Sequence, residues 1–98
     1  MAEHRARITW SDEQVRRGLP TIHETVDPAW PDGTGPAATI GWSLRCRFEV
    51  APAEQGNPSI AWVDFMLAEA PHSALQVGTR WQLFERGTRG LATVEIVP

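Results

Sequence analysis

From Ile40 to Val50 an apolar residue stands at every second position: Ile40, Trp42, Leu44, Cys46, Phe48 and Val50, with Gly41, Ser43, Arg45, Arg47 and Glu49 between them. Successive side chains of a strand point to opposite faces, so this run predicts one strand with an apolar wall turned inward and a polar wall turned to water. A helix would scatter the same residues around its circumference. Arg7-Ile8-Thr9-Trp10 alternates in the same way and predicts a shorter first strand. Ser59 to Ala68 predicts another, with Ala61, Val63, Phe65 and Leu67 on one face and Ile60, Trp62, Asp64 and Met66 on the other. That second face is also largely apolar. It reads either as packed under a loop or as an exposed patch with a partner.

The last third, Leu75 to Pro98, reads as two strands joined by a Gly-rich hairpin at Gly87 to Gly90. Trp81 and Leu83 face inward on the first, with Arg80, Gln82 and Phe84 outward, and Ala92, Val94 and Ile96 face inward on the second. Short strands separated by turn signals predict an all-β fold, a small antiparallel six-stranded β-barrel or a sandwich, in one domain over residues 1–98.

Two segments break the alternation. Ser11-Asp12-Glu13-Gln14 has the form of a capping box, with Gly18 as the stop, so the helix it predicts is little more than a turn and a half. Leu19 to Ala38 holds Pro20, Pro28, Pro31 and Pro36 with Gly33 and Gly35. Proline lacks the amide donor and disfavours helix in the residue before it, so 24–38 is expected to be a long irregular loop. Ala51 to Pro58 reads as a turn, and the pattern breaks again around Pro71.

At 98 residues the chain has room for a real core without disulfides. The formal net charge is −3, which argues against a broad electrostatic nucleic-acid surface but leaves room for a local arginine patch. All nine basic residues are arginine. The one cysteine, Cys46, cannot pair within the chain, which suits a reducing compartment. No apolar run approaches the ~20 residues of a membrane span, and the first residues carry no apolar signal core. The expected location is the cytoplasm, away from membrane.

The chemistry-bearing residues offer no catalytic set. His4, His23 and His72 lack metal-ligand spacing with each other or with Cys46, so no metal site is expected. Cys46 sits on the apolar wall and is expected to be an inert thiol. His23, Glu24, Asp27 and Asp32 share one loop, and their convergence as a small hydrolase site is a distant reading. Arg45, Arg47, Arg80, Arg86 and Arg89 read either as a stripe for anions or as ordinary surface charge paired with Glu49, Glu85 and Glu95; the second is favoured. Trp10, Trp42 and Trp81 fall on core positions. Trp30, in the proline-rich loop, and Trp62, on the second face of its strand, do not. Exposed tryptophan is enriched at binding hot spots, while Trp30 reads equally as a plug over a barrel end.

The order of these pieces resembles the C-terminal, third-domain β-barrel of elongation factor Tu-type translation factors. Arg16-Arg17-Gly18-Leu19-Pro20 resembles the family's Gly-Arg-x-x-Pro stretch, and Gly41-Trp42 its Gly-Tyr. Val77-Gly78-Thr79-Arg80-Trp81 is similar to its Glu-Gly-x-Arg-Phe, and Glu85-Arg86-Gly87 to its Glu-Gly-Gly hairpin. The likeness covers most of the chain outside Glu24 to Ala38 and is most specific at the C-terminal end. The chain departs from the pattern in having Ser43-Leu44 where the family has Arg-Pro. It also has no Gly-x-x-x-x-Gly-Lys-Ser/Thr loop and no lysine, so the family's GTP chemistry does not carry over. The absent catalytic set, the long Trp-bearing loop and the apolar second face of the Ser59–Ala68 segment point to a stand-alone, non-enzymatic interaction module without cofactor, built on a barrel of this resemblance. Its partner is expected to be a protein, or an RNA-containing complex, met through the Glu24–Ala38 loop and the Arg86–Gly90 hairpin, with Trp30, Trp62, Arg86 and Arg89 as binding residues. The alternative from another class is a small-molecule or anion binder using the barrel mouth.

Overall fold

The computed structural model describes residues 3–37, 40–85 and 89–98. Among them are six strands, β1 (His4–Trp10), β2 (Glu24–Pro31), β3 (Trp42–Arg47), β4 (Ser59–Phe65), β5 (Arg80–Glu85) and β6 (Arg89–Ile96). Two short helices, α1 (Asp12–Arg17) and α2 (Pro52–Gln55), and a 3-10 turn at His72–Ala74 complete the set. The strands close into an antiparallel barrel in the order β1-β4-β3-β2-β5-β6, with β6 returning to β1. Closure leaves no free sheet edge.

The inward walls are those the alternation predicts. Leu44, Cys46 and Phe48 are buried, as are Ala61, Val63, Phe65, Trp81, Leu83, Ala92, Val94 and Ile96, all in one cluster with Ile8 and Trp10. At the α1 end, Trp10 leans on Phe48 at 6.3 Å, and its indole N–H donates to the buried Ser59 hydroxyl at 3.0 Å. Ser59 in turn donates to the Gly56 carbonyl at 2.7 Å, so burying these polar groups leaves none of them unmatched. At the opposite end, Phe65 sits edge-on to Trp81 at 5.2 Å and to His72 at 5.9 Å.

The helix after β1 starts as the sequence predicts. Ser11 caps it, accepting from the Gln14 amide at 3.2 Å. The box is half made, because the Gln14 side chain donates forward to the Gly18 carbonyl at 2.8 Å instead of back to the cap. Gly18 ends the helix with a φ of 106°, a conformation glycine adopts without strain.

The largest correction concerns Glu24 to Ala38. Glu24–Pro31 is strand β2, paired with β3 over Glu24–Ala29 and with β5 at Ala29–Pro31. Irregular backbone begins only after Pro31. Pro28 is tolerated because it lies just before the β5 pairing begins at Ala29, in the half of the strand laddered on one side only. The alternation is also inverted. Ala29 faces the core, which puts Thr25 and Asp27 on the inner side and Val26 and Trp30 on the outer one.

Two ends of the β3 run are corrected as well. Ile40 is 81% exposed and Val50 is 49% exposed, and Leu67 beyond β4 is exposed too. Each has the right parity but lies outside the ladder, where alternation no longer fixes direction. The predicted hairpin at Gly87 to Gly90 falls largely on residues outside those described.

Trp30 is neither an exposed hot spot nor a plug in a barrel end. It is 5% exposed, on the outer surface of β2, edge-on to Phe84 at 5.3 Å. The chain passes back over it at Gly41. A Cβ placed on Gly41 would stand 2.6 Å from the Trp30 ring, well inside van der Waals contact. Gly41→Ala is therefore expected to destabilise the domain by about 1–3 kcal/mol, the usual range for overpacking. A chemical-denaturation midpoint lower than wild type, with Gly35→Ala near neutral as the control, checks this; a Cβ on Gly35 would meet Phe84 only at 3.5 Å.

Candidate functional site

The arginines are largely spoken for. Arg45 and Asp64 face each other across β3 and β4 and make a forked pair, Nε to Oδ1 at 3.1 Å and Nη2 to Oδ2 at 2.9 Å. Asp64, on the face expected to be outward, is thereby buried beneath the guanidinium. Arg47 forks onto Glu3, at 3.1 and 2.6 Å. Arg7 meets Glu95 at 3.0 Å. Arg89 meets Glu13 at 3.0 Å and also pairs with Glu85. The pairing expectation holds for Glu85, which Arg89 meets; Glu95 pairs with Arg7 instead of one of the expected arginines, and Asp64 and Glu3 take Arg45 and Arg47 in place of Glu49. Among the described residues the expected arginines do not form one anion stripe, because β2 separates β3 from β5 and Arg45, Arg47 and Arg89 are each paired.

The residues expected to bind together are not brought together. Trp30 is on β2, Trp62 on β4 and Arg89 on β6, and no two of these strands are neighbours in the barrel. Arg86 lies outside the described residues. Arg89 is held at the α1 end by its two glutamates. Trp62 lies at the surface. It is half-buried on the outer face of β4, with its indole N–H donating to Glu49 at 2.9 Å. Beside it is a small, mainly apolar pocket of ≈180 Å³, lined by Glu49, Val50, Gln55, Ile60 and Trp62. Arg5 of β1 and Arg47 of β3 stand directly across from Trp62 on its two sides.

The loop acids and His23 do not converge either. His23 Nδ1 lies 2.9 Å from the Phe48 carbonyl. Glu24 is exposed, and Asp32 accepts from the Gln82 amide at 3.0 Å, beyond the opposite end of β2. Asp27 is alone on the inner side. Its partial burial, with the Glu85 carboxylate nearby, raises its pKa above the ordinary aspartate value. A carboxyl whose pKa is raised by folding favours the fold while protonated and opposes it once ionised. Asp27→Asn is accordingly expected to raise the melting temperature at pH 7, with the gain fading as pH falls through the raised folded-state pKa and gone below the unfolded aspartate value of roughly 4. Melting curves of the two proteins from pH 3 to pH 7 check the sign.

Cys46 is fully buried, and burial pushes its thiol up to about 12. It is neutral at physiological pH and unsuited to nucleophilic work. Among the described residues no three His, Cys, Asp or Glu side chains gather as a metal would need, and no helix is long and apolar enough to cross a membrane.

A larger cavity lies elsewhere on the barrel. At the end of the barrel away from α1, Pro31 and Asp32 at the end of β2, the segment around Pro71 and Ala74, and the start of β5 at Thr79, Arg80 and Trp81 line an open cleft of ≈490 Å³. Its wall is overwhelmingly apolar. Pro31, Asp32, Pro71, Arg80 and Trp81 each stand out in the sequence, but not their meeting, because these walls come from segments distant along the chain. Compared with known protein families, curated proteins and solved structures, this chain matches none.

Proposed function

We propose that this barrel is a non-enzymatic interaction module whose partner is a protein segment, docking on the outer face of β4 around Trp62. The observation that carries the reading is the setting of Trp62. A half-buried indole borders an apolar pocket next to exposed Val50 and is flanked across both neighbouring strands by arginines. Tryptophan and arginine dominate the energetics of protein interfaces when they are held in place before binding. Here Trp62 is held by Glu49 and Arg47 by Glu3. Arg5 is the loosely engaged cation beside them; its one described contact is to the Pro98 carbonyl at 3.5 Å. An apolar side chain with a carboxylate next to it is the complementary ligand. The likeness to translation-factor barrels belongs to the same proposal, as a barrel used for contact and not for nucleotide chemistry.

A photo-crosslinking residue at position 50, compared with one at position 93 on the β6 face, tests this in cells. The expected result is a protein adduct at position 50 that is lost with Trp62→Ala and weakened with Arg5→Gln. Equal adducts at both positions, an adduct indifferent to Trp62→Ala, or an adduct with RNA in place of protein would overturn it.

A further inference from the structure

We propose that the cleft at the end of the barrel away from α1 is a binding site for a small apolar α-amino acid, taken as the free zwitterion. The cleft is independent of the Trp62 face, and its volume of ≈490 Å³ lies within the usual range for small-molecule sites, roughly 300–1,000 Å³. Its apolar walls are rigid. Pro31 and Pro71 have fixed φ angles, and Trp81 is buried and braced edge-on by Phe65 at 5.2 Å. A site with walls that do not rearrange loses little ordering entropy on binding.

The lip of this apolar cleft carries one charge of each sign. Asp32 and Arg80 are cross-strand neighbours, the Asp32 amide donating to the Arg80 carbonyl at 3.0 Å. Their side chains nevertheless form no ion pair with each other. The Asp32 carboxylate is positioned by the Gln82 side-chain amide at 3.0 Å, which is itself anchored on Thr93 at 3.0 Å, and this leaves the second carboxylate oxygen open. The Arg80 guanidinium makes no hydrogen bond or ion pair with any described residue. Arg7, Arg45, Arg47 and Arg89 are by contrast each paired within 3.1 Å.

A wholly apolar ligand would cover both charges without satisfying either, which is costly. A simple carboxylate would meet Arg80 but face Asp32, and a simple amine would do the reverse. A molecule carrying a carboxylate and an ammonium on an apolar side chain matches Arg80, Asp32 and the Pro31–Pro71–Ala74–Trp81 wall together. Charge-assisted hydrogen bonds of this kind give selectivity of about tenfold each when the alternative leaves a group unmatched.

The test is titration of the intact chain with L-phenylalanine, 3-phenylpropanoate and 2-phenylethylamine, followed by calorimetry and by the Trp81 indole resonance. L-Phenylalanine is expected to bind about tenfold or more tightly than either analogue. Arg80→Gln is expected to reduce it to the affinity of the amine, and Asp32→Asn to that of the acid. Ala74→Trp, which fills the cleft, is expected to abolish binding of all three. Both charged residues lie at the surface, and circular dichroism of each variant confirms the fold before titration. Failure of L-phenylalanine to shift the Trp81 indole, equal affinity for the three probes, tighter binding of the acid alone, or an affinity unchanged by Arg80→Gln would each overturn the assignment.

Discussion

Replacing Trp30 by alanine is expected to destabilise the domain by about 3–5 kcal/mol, the range for deleting a buried aromatic ring. The ring is buried on the outside of the barrel, where it fills the space between Phe84 and the returning chain at Gly41. Its removal opens a cavity that the two flanking strands can close only by bending, and the β2–β5 seam it covers is held by just Ala29–Pro31 against Leu83–Trp81. A domain of this size is usually stable by about 5–15 kcal/mol, so the loss consumes a large share of the total. Trp62→Ala provides the contrast, because that ring is partly in solvent and covers no seam. Urea unfolding should show a much lower midpoint for Trp30→Ala at unchanged m-value, and a small shift for Trp62→Ala. Equal effects would mean that Trp30 is a surface residue after all.

Phe65→Ala is expected to cost a similar amount, about 3–5 kcal/mol, for a different reason. Phe65 is among the largest fully buried side chains and joins the barrel interior to the end cap formed by Trp81 and His72. Truncation removes two edge-to-face aromatic contacts along with the transfer free energy of the ring. Phe65→Leu retains most of the volume and is expected to cost less than half as much. The same pair of variants separates stability from binding at the cleft, since Trp81 forms its wall: Phe65→Leu should remain folded while loosening the brace on Trp81. Thermal and urea unfolding measured on both variants give the two differences directly.

Five of the six strands are legible in the sequence because their inward positions are apolar at every second place, and in all but β4 the outward ones are mainly polar. β3 reads as Leu44 and Cys46 against Arg45 and Arg47, with Phe48 continuing the inward parity just past its end, and every one of these points where alternation puts it. β2 defeats the same reasoning for two physical reasons. Its prolines lie where ladder partners are absent on one side, so they do not forbid a strand. Its polarity is reversed, with Thr25 and Asp27 inward at a partly open end and Trp30 outward beneath a covering loop. Nothing local to Glu24–Pro31 signals either condition. Both depend on Phe84 and Gly41, brought there by the closed topology.

The candidate sites follow the same division. Trp62 is recognisable because an apolar residue on the polar parity of a strand is anomalous wherever it occurs. The cleft is not, since Pro31, Pro71 and Trp81 become neighbours only when the ends of β2 and β5 meet. Asp64 shows the limit of reading charge from a single strand. It is a buried carboxylate on an outer face, made tolerable by Arg45 on the adjacent strand.

Closure of the sheet through β2 underlies the rest, since that strand seats Trp30, sets the inward position of Asp27 and delivers Pro31 and Asp32 to the cleft. Nuclear Overhauser contacts across the β2–β5 seam test it most directly. The predicted result is cross-strand backbone contact between Ala29 and Leu83 and between Pro31 and Trp81, with extended chemical shifts from Glu24 to Pro31. Coil-like shifts over that segment, with β5 showing contacts to β6 alone, would contradict it.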